Sequence, residues 1–178
     1  MFRRGQKRID PNEPRVIADP ERARERTMNR AGRLLAAKPR SIRELRERLL
    51  EKQWTNAEIV DAVIEKLKGY KYLDDEHYAR ETALSKLRQR PQGKRRLQQT
   101  MGQKKLDKET VSAAITEAFE QLPEEDLIDT VIQKRLRLKG KPQTREDTKK
   151  FYDHLLRQGF DYDLIRTKLS AIAKLEID

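Results

Sequence analysis

The apolar residues of this chain recur with a period of 52 positions, and no other feature limits the possible folds so strongly. Laid without a gap over "GKRRLQQTMGQKKLDKETVSAAITEAF" (93–119), the stretch "SIRELRERLLEKQWTNAEIVDAVIEKL" (41–67) matches Leu45 to Leu97, Leu49 to Met101, Trp54 to Leu106, Ile59 to Val111, Val63 to Ile115 and Leu67 to Phe119. A third copy lies 106 positions beyond the first, where Phe151, Leu155, Phe160, Ile165 and Leu169 fall on Leu45, Leu49, Trp54, Ile59 and Val63. Self-similarity at a fixed period marks a repeat architecture, in which each unit buries its apolar stripe against the next.

Inside each copy the spacing is helical: Ile42, Leu45 and Leu49, then Ile59, Val63 and Leu67. The turn between these helices places an apolar residue before a capping residue three times, as Trp54–Thr55, Leu106–Asp107 and Phe160–Asp161. Thr55 and Glu58 spell a capping box, with Trp54 at N′ stapled onto Ile59 at N4. A further helix is expected upstream in each copy, over roughly 21–37, 75–90 and 124–138. The chain is therefore expected to be all-α, an elongated tandem array of three three-helix repeats. The expected division is a mobile basic arm over 1–20, then repeats over 21–70, 71–122 and 123–178. The polar loop "KGKPQTRED" is longer than its counterparts and is expected to let the last repeat move.

Composition fits such an array. Hydrophobic residues make up 35% and charged residues 40%, too little apolar material for one thick core. There is no cysteine, so disulfides and thiolate metal sites are excluded. No stretch approaches a membrane span, and a soluble, cytoplasmic monomer that binds no cofactor is expected.

The segment "YKYLDDEHY" (70–78) is the one place that looks chemical. Asp74 and His77 could begin a metal or acid–base site, but no further ligand follows at a recognisable spacing, and His154 is the only other histidine. The structural reading is simpler. Asp74 caps a helix, Asp75 and Glu76 meet its positive end, and Leu73 staples onto Tyr78. Walker, nucleophile-elbow and zincin motifs are all missing. A magnesium-dependent nuclease rests only on the carboxylates at 74–76, and no catalytic residue is assigned.

The net charge of +11 points instead to a polyanionic partner. Charge is also segregated: Lys86 to Lys108 holds nine bases and one acid, and Glu109 to Asp129 holds seven acids and no base. Repeat alignment picks out one recurring basic position, Arg43, Arg95 and Lys149, flanked by Arg96 and Lys150 and joined near the helix end by Lys52 and Lys104. These residues are the candidate stripe for a phosphate backbone or an acidic protein surface. Trp54, Phe119, Phe151 and Phe160 occupy repeat-matched apolar positions and are expected in the core, while Tyr70 and Tyr72 are assigned to packing between units.

The segments "LLAAKPRSIRELRERL", "GYKYLDDEHYA", "GKRRLQQTM" and "LLRQGFDYDLI" resemble the bacterial RecX regulatory proteins, over roughly residues 30 to 170. The resemblance implies tandem three-helix repeats and a non-enzymatic modulator that binds the RecA filament on single- or double-stranded DNA. It implies inhibition of ATP hydrolysis and strand exchange as the usual effect. One departure concerns the turn before the repeat-matched aromatic: the family's glycine is kept as Gly159 but replaced by Gln53 and Lys105, so those two turns are expected to differ in shape. Apart from the resemblance, the charge alone supports a general DNA-binding helical repeat protein.

Overall fold

A computed structural model describes residues 15–174, with side chains through Ala171. Among the described residues there are nine helices and no strand: α1 (Pro20–Ala37), α2 (Ile42–Leu50), α3 (Ala57–Gly69), α4 (Asp75–Gln89), α5 (Lys94–Gly102), α6 (Lys108–Gln121), α7 (Glu124–Lys139), α8 (Arg145–Arg157) and α9 (Tyr162–Lys174). They form two compact units, one ending at Tyr78 and one beginning at Ala79. Of the arm expected over 1–20, residues 1–14 lie outside the described part, and Arg15 is held in place. Its guanidinium donates to the carbonyls of Leu50 (3.3 Å), Lys52 (3.0 Å) and Thr55 (3.3 Å).

In the first unit α1, α2 and α3 enclose Ala31, Leu45, Leu49, Leu50, Val60, Val63, Ile64 and Leu67, with Leu73 closing one end. The start of α3 corrects the sequence reading. Asn56, not Thr55, is the N-cap, accepting from the Ile59 amide at 3.0 Å. Thr55 is buried, and its hydroxyl bonds that of Thr27 at 3.0 Å. The cause lies in the preceding turn: Gln53 does not adopt the left-handed backbone, so the connection runs over 51–56 and the helix starts one position late. Trp54 is displaced with it. The indole is half-buried, lies outside the main core, and carries the Arg26 guanidinium 4.4 Å above its ring.

In the second unit one continuous core joins α4 through α9, including Leu87, Leu97, Met101, Ile115, Ile128, Phe151, Leu155, Phe160 and Ile165. Here Lys105 takes the left-handed turn conformation without glycine (φ 57°), while Gly159 takes it at φ 89°. Asp107 then accepts from the Thr110 amide (2.7 Å) and Asp161 from the Asp163 amide (2.9 Å). The seam between α5 and the α8–α9 turn is made by backbone. The Gly93 amide donates to the Gln158 carbonyl at 2.9 Å and the Arg95 amide to the Gly159 carbonyl at 3.3 Å.

The acidic cluster of residues 74–76 is used for helix starts. Asp74 accepts from the His77 amide at 2.9 Å, and Asp75 reaches back to the Ile42 amide, the first of α2, at 2.9 Å. The second unit repeats the device: Glu124, first residue of α7, accepts from the Lys94 amide, the first of α5, at 3.0 Å. Burial pushes the Glu124 carboxyl above its ordinary range, against the lowering effect of the Lys94 amide bond; the negative charges of Asp161 and Glu125 push the same way.

Candidate partner-binding surface

The seven candidate basic residues divide by what their side chains do. In the first unit Arg43 stands exposed on the first turn of α2, 3.4 Å from Glu47 one turn on. Lys52 lies in the following turn with its ammonium 5.7 Å from the Trp54 ring centre. Other charges of α2 are paired: Glu44 bonds Arg40, and Arg46 grips Asp61 of α3 through two bonds at 2.7 and 3.1 Å. Much of the formal charge of α2 is therefore locally compensated.

In the second unit Arg95 and Lys149 are exposed, whereas Lys150 pairs with Glu146 at 2.8 Å and Lys104 is half-buried in the turn after α5. Arg96 has an internal role. Its guanidinium donates to the Arg157 carbonyl (3.0 Å) and to Gln158 Oε1 (2.9 Å), fastening the end of α8 to α5. Repeat alignment cannot distinguish this residue from its exposed neighbour Arg95, because both occupy charged helix positions.

Sequence reading missed a second cationic region. His154 on α8 is half-buried, and its imidazole is held below the ordinary histidine range, first by burial and then by the positive charges of Arg135, Arg157, Arg90 and Arg96. Those arginines come from α7, α8, the position just after α4, and α5. Arg135 also lies 5.1 Å over the Phe151 ring. Burial and the neighbouring positive charges both disfavour protonation of this imidazole. The only hint in sequence was the basic run from Lys86 to Lys108, since residues 90, 96, 135 and 154 are brought together by the tertiary fold.

The assignment of Tyr70 and Tyr72 to packing is also corrected. Both rings are exposed, at 60% and 71% of their full accessibility. Among the described residues no group of three or more His, Cys, Asp or Glu is placed to hold a metal ion, and no helix is long and apolar enough to cross a membrane.

Comparison with known proteins gives a consistent result. The models of the first, second and third three-helix domains of RecX match residues 28–67, 74–115 and 123–169, in that order. The chain is 31% identical over 133 residues to the regulatory protein RecX of Finegoldia magna, covering 74% of this chain and 64% of that protein. It is 27% identical over 152 residues to the regulatory protein RecX of Clostridioides difficile, covering 83% and 68%. The match thus spans about two thirds of each relative's length. A crystal structure of RecX from Lactobacillus salivarius is similar with a TM-score of 0.73 at 20% identity, over 89% of this chain and 99% of that one, a likeness of fold.

Proposed function

Because this chain belongs to the RecX family of regulatory proteins, we propose that it acts without catalysis by binding the RecA filament on DNA, along its groove, and lowering the filament's ATP hydrolysis and strand exchange. The match of all three RecX domain models in order carries this reading. The cationic character supports it, since a filament on DNA presents a continuous polyanion. Exposed Arg43, Arg95 and Lys149 are the proposed contacts. Arg96 is set aside because its guanidinium holds the α8 terminus. The proposed working form is a cytoplasmic monomer.

The test is the DNA-dependent ATPase of a cognate RecA titrated with the protein. Inhibition well below one molecule per RecA is expected, and the triple variant Arg43→Glu, Arg95→Glu, Lys149→Glu should require at least about tenfold more protein, with helicity retained. No effect on the ATPase at any ratio refutes the reading. A second reading, general DNA binding without RecA, is favoured by the +11 charge. It requires inhibition only at DNA-coating concentrations and a log–log salt slope of about −3 to −5.

A further inference from the structure

Tyr70 and Tyr72 follow α3 on a turn whose backbone is fully specified. The Tyr70 amide donates to the Lys66 carbonyl (3.1 Å), the Lys71 amide to Lys68 (2.9 Å) and the Tyr72 amide to Leu67 (2.9 Å), a paired closure that ends a helix through a left-handed residue. That residue is Lys71, at φ 59°. Glycine would adopt this backbone at lower cost, so Lys71 stands here against local preference. Leu73, buried directly afterwards, anchors the turn. The two phenol rings meet edge to face at 6.4 Å and 79°, which leaves ring surface open to solvent.

The surroundings are cationic. Lys66 Nζ lies 5.9 Å from the Tyr70 ring centre, Lys71 stands between the two tyrosines in sequence, and Lys68, just before them, is tied to Glu65 at 2.8 Å. Of the three acids that follow, Asp74 is turned to the His77 amide and Asp75 to the Ile42 amide.

We propose that Tyr70 and Tyr72 form a stacking platform for unpaired bases of a single-stranded nucleic acid, with Lys66 and Lys71 meeting the adjoining phosphates. Exposed aromatic faces bordered by cations are what unpaired bases on a charged backbone require, and the contact is indifferent to sequence. The cations here are all lysine, which is depleted at protein–protein interfaces, where arginine is enriched. A duplex keeps its bases stacked internally and offers no face to these rings.

The inference rests on the nucleic-acid half of the reading above, and its test omits the recombinase so that each can fail alone. Fluorescence anisotropy of a labelled oligo-dT of about twenty nucleotides, and of a duplex of equal length, is measured with the full chain. Tyr70→Ala with Tyr72→Ala should weaken oligo-dT binding about 10- to 100-fold and leave duplex binding unchanged, while the corresponding Phe pair retains affinity. Lys66→Gln with Lys71→Gln should flatten the salt slope by about 1.4. Unchanged oligo-dT affinity in the Ala pair overturns the proposal, as does an equal loss in the Phe pair or no oligo-dT binding by the unaltered chain. Normal oligo-dT binding by the Ala pair, together with lost inhibition in the separate ATPase titration, would make the rings a protein contact and refute the platform.

Discussion

Replacing Gly93 by alanine tests the seam on which the second unit depends. A Cβ built there would lie 2.2 Å from the Gly159 carbonyl oxygen and 2.3 Å from the Phe160 nitrogen, all backbone atoms that no rotamer change can move. Ordinary contact needs more than 3 Å, so α5 and the α8–α9 turn must separate by about 1 Å. That separation stretches the Gly93–Gln158 and Arg95–Gly159 bonds, now 2.9 and 3.3 Å. Overpacking of this kind costs about 1–3 kcal/mol, and two weakened backbone bonds add about 1 kcal/mol each, giving a loss of about 3–5 kcal/mol. Gly159→Ala approaches the same seam from the other side, meeting Arg96 Cβ at 2.5 Å while also holding alanine at φ 89°. Gly102→Ala on the same α5 is the control: nothing lies within 4 Å of its added carbon, and it should gain about 0.5 kcal/mol. Urea unfolding followed by circular dichroism measures all three. A loss under about 1 kcal/mol for Gly93→Ala would show that the two turns do not meet this closely, and the argument would be wrong.

Two further substitutions probe local strain and charge. Lys105→Gly removes a Cβ from a left-handed residue and should stabilise by about 0.5–1 kcal/mol in the same unfolding assay, the relief exceeding glycine's extra unfolded-state entropy. Glu124→Gln keeps an oxygen for the Lys94 amide while discarding a charge that burial opposes. Because the carboxyl is raised in the folded state, its contribution is fully present below its unfolded pKa and is lost as pH rises through the folded value. The glutamine variant should therefore be the more stable of the two at pH about 7, and the difference should close in acid. A variant less stable at neutral pH would contradict the assigned cause.

The 52-residue period was enough to reveal three helix triplets, because the inward positions of each helix pair must be apolar whatever surrounds them. Turn geometry was less accessible. A gapless alignment treats 51–56, 103–107 and 158–161 as equivalent, yet they differ in length, and the longest is the one in which Gln53 stays out of the left-handed region that Lys105 and Gly159 enter. The misplaced Thr55 cap and the core role given to Trp54 both follow from that one difference. The tyrosines failed for another reason: an aromatic side chain serves equally for packing or for exposure, and pattern alone does not separate them. Nor does charge patterning show that Arg96 faces a helix end, or that arginines distant in sequence surround His154.

The carboxylates of Asp75 and Glu124 have a consequence for any phosphate that approaches this protein. The amino end of a helix ordinarily offers backbone amides to an anion, but at α2 and α5 two such amides each are already taken: Ile42 by Asp75, Glu44 by the Ser41 hydroxyl, Lys94 by Glu124 and Arg95 by the Gly159 carbonyl. A polyanion meeting these helices therefore depends more on flexible side chains such as Arg43 and Arg95 than on backbone amides. Side-chain contacts of that kind set no fixed register, weaken steeply with salt and tolerate sliding along a polyanion.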